Sequence, residues 1–232
     1  MRKFQLTDET MTVDEVTYHR IRACKDFNVQ GYHVKAGDLG GYVESEYNID
    51  QDGNAWVDDN AIVSGNAIVS DNAVISGNAV VGGGAWVGDS TRVSGLARVG
   101  DNAVISGNAR VGSNAVVVGN ARVGSNAVVI GNAVINGLAR VGGNIIVDDN
   151  ARVSNSDHII VIGPIGSRND YITFCRSKDN DIIVKSGCFN GNISKFLKKV
   201  NETYGNNKYA AEYRAAAELA KIHIDLEGEK TE

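Results

Sequence analysis

Three six-residue segments show the pattern that decides the fold of this chain: Val63-Ser-Gly-Asn-Ala-Ile68, Ile75-Ser-Gly-Asn-Ala-Val80 and Val111-Gly-Ser-Asn-Ala-Val116. The pattern fills 17 consecutive hexads from Gln51 to Arg152 without an insertion or a deletion. The first position is Val or Ile in 16 hexads, the fourth is Asn in 13 and the fifth is Ala in 15. A repeat this strict excludes low-complexity disorder and predicts a solenoid of stacked, similar units.

The residue types explain how the units stack. Ala61 and Val63, the fifth residue of one hexad and the first of the next, share one face of a short strand, whereas Ile62 between them points outward. The Ser-Gly-Asn run favours a turn because Gly and Asn tolerate positive φ. We expect three such sides to make an 18-residue coil, so that 17 hexads form nearly six coils. At the ~4.8 Å spacing of strands, the column is ~27 Å tall.

The repeated V-x-G-N-A-x motif resembles the hexapeptide-repeat family, whose members fold as a triangular left-handed parallel β-helix. The resemblance covers residues 51–152 and supplies the handedness, which the period alone does not determine. The segment Val34-Lys-Ala-Gly-Asp-Leu-Gly-Gly-Tyr-Val43 is similar to the N-terminal flank of uncharacterised bacterial and prophage-encoded members. The expected fold is mainly β: a cap at 1–50, a left-handed parallel β-helix at 51–153 and a small α+β module at 154–232.

Composition and charge exclude several function classes. The 232 residues include 28 acidic and 23 basic side chains, and this net charge of −5 argues against binding to nucleic acid or an anionic membrane. No apolar run approaches the ~18 residues of a transmembrane helix, and the first residues lack an apolar signal core. Cys24, Cys175 and Cys188 form no close pair, so we expect reduced thiols and a cytoplasmic protein.

The sixth residue of each hexad points outward, and residues 18 apart stack on one face. Eleven of these 17 residues are apolar, a high share for a surface in water and an indication of interfaces. We expect the N-terminal segment to cover part of the first two coils. Farther from this cap, five residues are predicted to form the interface of a homo-oligomer: Val104, Val116, Val128, Val134 and Ile146. The resemblance to hexapeptide transferases favours a trimer. The alternative is that these β-branched residues are present only because they favour strand conformation.

Four coil arginines are candidates for binding an anion. They form two stacked pairs, Arg92 with Arg110 and Arg122 with Arg140. Paired guanidinium groups bind a phosphate or carboxylate through two hydrogen bonds. The alternative is that aspartates in the neighbouring turns, such as Asp89 and Asp101, neutralise them.

The C-terminal flank is predicted to fold as three strands and two helices. The strands are expected at 159–162, 171–176 and 181–185, the first helix from 193 to a C-cap at Gly205, and the second from about 207 to 222. Tyr209, Tyr213, Ala216 and Ala220 form its predicted buried stripe.

Two features of this flank are candidates for chemistry, each with a structural role as the alternative. The loop at 163–169 offers Ser167, Arg168 and Asn169 to a phosphate or carboxylate. Cys188 is predicted to end a strand just before a helix, where the helix dipole lowers the pKa of a thiol.

The histidines weaken the case for an enzyme. Hexapeptide acyltransferases use a His as general base, and carbonic anhydrases of this fold need three His around zinc. None of His19, His33, His158 and His223 lies within 51–152. The sequence therefore favours a non-catalytic, self-associating scaffold without a cofactor or metal, a prophage accessory protein that binds a host protein or a small anion. The alternatives are an acyltransferase-like enzyme using His158 and a sponge that binds a nucleotide signal through its arginines.

Overall fold

A computed structural model describes residues 2–227 and confirms a mainly β protein built around a parallel β-solenoid of about six turns. Val80 pairs in parallel with Ile62 on one side and with Arg98 on the other, so that strands 18 residues apart are neighbours. This register continues through the solenoid and confirms that three hexads make one turn.

The N-terminal region is antiparallel and joins the top of the solenoid. Its strands are β1 (Phe4–Val13), β2 (Val16–Ala23), β3 (Phe27–Val29), β4 (Tyr32–Val34) and β5 (Leu39–Val43). β3 and β4 form a separate hairpin, whereas β1, β2 and β5 form one sheet. Tyr42 of β5 then pairs in parallel with Ile62, and Ile49 bridges to Val69 after a 3₁₀ turn at Glu46–Asn48. Residues that precede the first hexad at Gln51 therefore already pair with the solenoid as part of its first turn.

Three parallel sheets form the sides of the solenoid, and each strand has two residues. The first face continues the N-terminal sheet with β7 (Ile62–Val63), β10 (Val80–Val81), β13 (Arg98–Val99), β16 (Val116–Val117), β19 (Val134–Ile135) and β22 (Arg152–Val153). The second face contains β8 (Ile68–Val69), β11 (Trp86–Val87), β14 (Val104–Ile105), β17 (Arg122–Val123) and β20 (Arg140–Val141). The third face contains β6 (Trp56–Val57), β9 (Val74–Ile75), β12 (Arg92–Val93), β15 (Arg110–Val111), β18 (Val128–Val129) and β21 (Ile146–Val147).

The first and fifth hexad residues fill the interior. Ile75, Ile105 and Ile135 are fully buried there, among smaller Val and Ala side chains. Thr91 replaces the usual Ala, and its hydroxyl donates a hydrogen bond to the Gly88 carbonyl oxygen at 2.9 Å. This bond offsets the cost of placing a polar group in an apolar core.

The C-terminal module is an antiparallel sheet covered by two helices. Its elements are β23 (Ile159–Ile165), β24 (Asp170–Arg176), β25 (Ile182–Ser186), β26 (Phe189–Asn192), α1 (Ile193–Tyr204) and α2 (Lys208–His223). None of the helices described is long and apolar enough to cross a membrane.

Three details of this module differ from the sequence prediction. Phe189–Asn192 is a fourth strand, so Cys188 lies in the turn between two strands and does not adjoin a helix. Tyr213, Ala216 and Ala220 are buried as predicted, but Tyr209 is 38% exposed. Tyr209 packs edge-on against Tyr204 at the rim of the helix pair, with the ring centroids 6.1 Å apart.

Candidate anion-binding cleft

The hairpin of β3 and β4 covers the first turns of the third face and binds the side chain of Arg92. Trp56 and Val74 are buried there, and Trp56 meets Phe27 edge-on with ring centroids 5.5 Å apart. The Arg92 Nε donates to the side-chain oxygen of Gln30 at 2.6 Å, and the guanidinium lies 5.1 Å from the centre of the Tyr32 ring. Arg92 and Arg110 are Cα partners, as predicted, but the cap binds the guanidinium group of Arg92.

The other three candidate arginines, Arg110, Arg122 and Arg140, are exposed. The predicted stacking of Arg122 on Arg140 is present as a pair of Cα partners. Within residues 2–227, no ion pair involves Arg110, Arg122 or Arg140. The turn aspartates have a different role: Asp89 accepts a hydrogen bond from the backbone N–H of Gly107 at 2.7 Å, and Asp101 accepts one from Gly119 at 2.8 Å. These carboxylates stabilise the corners between turns.

Four of the five predicted interface residues form two short rows. Val116 and Val134 are Cα partners on the first face, and Val128 and Ile146 are partners on the third. Only the corner at 131–133 separates the two rows along the chain. Val104 lies apart from both, on the second face beside Arg122.

A cleft in the C-terminal module brings together two features that the sequence singled out separately. Its volume is about 230 Å³, and it contains both Arg168 and Cys188. The loop at 163–169, the turn between β25 and β26, and one side of α1 form its walls. The remaining lining residues are Ser186, Phe189, Phe196, Lys199, Val200, Thr203, Tyr204 and Tyr213.

The floor of this cleft is a packed aromatic cluster. Phe196 is buried and meets Tyr213 and Phe174 edge-on, with ring centroids 5.8 Å and 6.0 Å apart. Phe189 packs against the same ring at 5.4 Å. Edge-to-face contacts fix the relative orientation of the rings in addition to burying apolar area. The cluster therefore gives the cleft a rigid floor.

The loop at 163–169 is held against the helices by contacts at two adjacent residues. The backbone N–H of Gly166 donates to Glu212 Oε2 at 2.7 Å, and Ser167 Oγ lies 2.7 Å from the Tyr204 hydroxyl. A Cβ on Gly166 would lie 2.0 Å from the Tyr213 hydroxyl oxygen, so only glycine allows this approach. Burial raises the pKa of the Tyr213 phenol.

The three loop residues predicted to bind a ligand have different roles in the structure. The Ser167 hydroxyl contacts Tyr204 and so helps to hold the loop. Asn169 adopts φ +50° and its backbone N–H donates to the Gly166 carbonyl oxygen at 3.2 Å, so it forms the turn. Of the three, only Arg168 lines the cleft.

Sequence reasoning missed the second cation, Lys199. Its exposed side chain reaches the cleft from α1, whose neighbouring residues Phe196 and Val200 are buried. The available signal was helical spacing: Phe196, Lys199, Val200 and Thr203 lie three or four residues apart and therefore share one side of the helix.

The lining residues of the cleft can hold an anion. Two cations, hydroxyl groups and the exposed Cys188 thiol surround the floor, and no His, Asp or Glu within the described chain lines it. Among residues 2–227, no group of three or more His, Cys, Asp or Glu is arranged to hold a metal ion.

His158, the predicted catalytic alternative, lies elsewhere. It is buried, with Nδ1 3.1 Å from the Ser154 backbone nitrogen and Nε2 2.9 Å from Arg176 Nη1. It joins the last turn of the solenoid to β24. Comparison with protein-family models finds no match for this chain, and a search of curated proteins finds none either.

Proposed function

We propose that this chain is a non-catalytic scaffold of the hexapeptide-repeat type, with a left-handed coil, whose C-terminal module binds a small anionic ligand. The observation that carries the proposal is the cleft in which Arg168 and Lys199 flank an aromatic floor. Two cations attract an anion, and the floor accepts an apolar or planar portion of the same molecule.

The size of the cleft limits the ligand. Its volume of about 230 Å³ is below the ~300–1,000 Å³ typical of sites for larger organic ligands. A carboxylate or a phosphate monoester fits this description, and a nucleotide would enter with only part of its structure. The rigid solenoid holds this module, in keeping with the general placement of binding loops on stable scaffolds.

The proposal includes self-association as a trimer through the two apolar rows. A twofold dimer built on one face leaves the row on the other face exposed. A closed ring of three, in which the first face of one copy meets the third face of the next, covers both rows. The row of Val116 and Val134 would then contact the row of Val128 and Ile146 of the neighbouring copy.

The biological setting that we propose is that of a cytoplasmic, prophage-encoded accessory protein that binds a host protein. The free state of Cys24, Cys175 and Cys188 supports a reducing compartment. The prophage origin depends on the resemblance of the segment at 34–43 alone.

Isothermal titration calorimetry at low salt tests the cleft. The probes are inorganic phosphate, succinate, a sugar phosphate and adenosine monophosphate. We expect at least one to bind, and Arg168→Ala and Lys199→Ala each to weaken its binding about tenfold, since each removes a charged hydrogen-bond donor. Lys198→Ala is the matched control, because Lys198 is exposed on the same helix but does not line the cleft.

Two results contradict the proposal. One is the absence of binding by every probe. The other is binding that persists in Arg168→Ala and Lys199→Ala but disappears in the double variant Arg122→Ala, Arg140→Ala. That second result places the anion on the stacked coil arginines and favours the nucleotide sponge.

A further inference from the structure

The second face of the solenoid ends in an open strand edge. In the turns above, the N–H of the outward residue donates to a carbonyl 17 residues later: Val104 to Ala121 and Arg122 to Ala139, each at 2.9 Å. For Arg140 the corresponding acceptor is Asp157, but its carbonyl oxygen accepts from the backbone N–H of Asp225 at 3.0 Å. β20 is accordingly the terminal strand of its sheet.

Two backbone donors are left on this edge. Over residues 2–227, neither the N–H of Arg140 nor that of Gly142 has a hydrogen-bond partner. Both point away from β17, towards the position that another rung would occupy. An unpaired strand edge is a template for another strand.

A groove of about 370 Å³ lies below this edge, between the solenoid and the C-terminal module. Ile145, Ile159, Ile160 and Val161 form an apolar wall along it. The last three belong to β23, which is the terminal strand of the module sheet. Terminal strands from two different sheets therefore border one groove.

The charged residue that lines the groove is a cation, Arg140. Arg140 is exposed, and Arg122 stacks on it from the preceding turn. His223 lines the opposite side, with its Nε2 3.2 Å from the Ser156 carbonyl oxygen. None of the groove's lining residues in the described chain is a carboxylate.

We propose that this groove binds an extended segment of a partner protein, which adds to β20 as a further strand. Its carbonyl groups accept from the N–H groups of Arg140 and Gly142. Side chains alternate along an extended strand, so acidic residues face Arg140 while apolar residues contact the isoleucine wall. The partner segment is therefore one in which acidic and β-branched residues alternate.

Fluorescence anisotropy with the labelled peptide Glu-Val-Glu-Val-Glu-Val tests this proposal. Two matched peptides carry N-methyl groups on all three valines or on all three glutamates. Alternate backbone N–H positions lie on opposite edges of a strand, so the methyl groups of only one peptide face β20 and keep the two backbones apart. We expect one methylated peptide to lose binding and the other to retain it.

Protein variants place the peptide in the groove. We expect Arg140→Glu to weaken binding about tenfold, since it puts like charges together. Arg110→Glu is the matched control, because Arg110 is an equally exposed coil arginine on another face. Arg168→Ala should leave peptide binding unchanged, which separates this site from the anion cleft. On binding, the amide protons of Arg140 and Gly142 should exchange more slowly with solvent, as measured by NMR.

Three results overturn the inference. They are equal binding by both methylated peptides, unchanged binding by Arg140→Glu, and no binding at millimolar peptide. Slow exchange of the Arg140 and Gly142 amides in the protein alone, increasing with protein concentration, would instead identify a second copy of this chain as the occupant.

Discussion

Gln30 and Arg92 connect the N-terminal hairpin to the third face of the solenoid through a reciprocal set of hydrogen bonds. Arg92 Nε donates to the Gln30 side-chain oxygen at 2.6 Å. The Gln30 side-chain nitrogen donates in turn to the carbonyl oxygens of Asn72 and Thr91, at 2.6 Å and 2.8 Å. One glutamine therefore joins the hairpin to two turns of the solenoid.

We predict that Arg92→Ala lowers the free energy of unfolding by about 1.5–3 kcal/mol, because it removes charge-assisted bonds and leaves the side-chain oxygen of the half-buried Gln30 without its donor. Urea denaturation measures this loss. Arg110→Ala is the control one rung below on the same face, since Arg110 is exposed; its effect should stay within about 0.5 kcal/mol. Equal effects of the two substitutions would show that the cap does not depend on Arg92.

The contact between Gly166 and Tyr213 leads to a second prediction. Gly166→Ala forces a Cβ against the Tyr213 ring and also places alanine at φ +73°. Gly143→Ala isolates the backbone effect, because Gly143 has φ +82° but no atom within 4 Å of its Cβ position, and Ser125 adopts positive φ at the same hexad position. We expect the control to cost about 1 kcal/mol and Gly166→Ala to cost about 1–3 kcal/mol more. Thermal unfolding followed by calorimetry tests this order, and a larger loss in Gly143→Ala than in Gly166→Ala would contradict it.

Lys3 makes the free energy of unfolding depend on pH in the alkaline range. Its ammonium group is buried and donates to the Asp50 carbonyl oxygen; burial lowers its pKa from the usual 10.5 to about 8, against the opposing attraction of Asp50. Between pH 8 and 10.5 the unfolded chain therefore holds a proton that the folded chain has released, so this group's contribution to stability rises with pH.

The Lys3→Met variant reveals that contribution. It lacks the titrating group, so the stability of the natural protein should increase relative to the variant as the pH rises from 8 to 10.5. The change is on the order of a few kcal/mol, because one pKa unit corresponds to about 1.4 kcal/mol. Urea denaturation at several pH values measures the difference. Parallel profiles for the two proteins would contradict the prediction.

The three cysteines should react in a defined order. Cys188 is exposed, Cys24 is partly buried and Cys175 is buried, where desolvation raises the pKa of its thiol to about 12. Since the thiolate is the reactive form, iodoacetamide should modify Cys188 first and Cys175 only after unfolding. Peptide mass spectrometry follows the three rates. A probe that binds the cleft should slow Cys188 alone, and protection of all three cysteines would indicate a global effect.

The solenoid could be predicted because each hexad position has one structural role. Ala and Val or Ile point inward, and Asn and Gly form the corners. Because no insertion interrupts the hexads, residues three hexads apart are neighbours, as Val80 and Arg98 are. The burial of Trp56 beneath the cap also followed, because the outward residues of the first two coils are all apolar.

The C-terminal module was harder to predict because tertiary contacts override local propensity there. Phe189–Asn192 includes Asn-Gly-Asn, which has low strand propensity, yet it pairs with β25 along its whole length. Lys199 and Arg168 line the same cleft because the loop at 163–169 docks on α2 at Gly166 and Tyr213. No local pattern contains that long-range contact.

The proposed trimer leads to the last prediction. Val134→Glu puts a charge in the row that Val134 forms with Val116, and burying an unpaired carboxylate in an apolar contact is costly. We expect it to shift the protein towards monomer in sedimentation velocity at micromolar concentration. Val80→Glu is the matched control: Val80 has the same hexad position on the same face, is 36% exposed, and is separated from the row by Arg98. Ile146→Glu should act like Val134→Glu if two faces meet in a ring, whereas a twofold dimer through the first face would tolerate it.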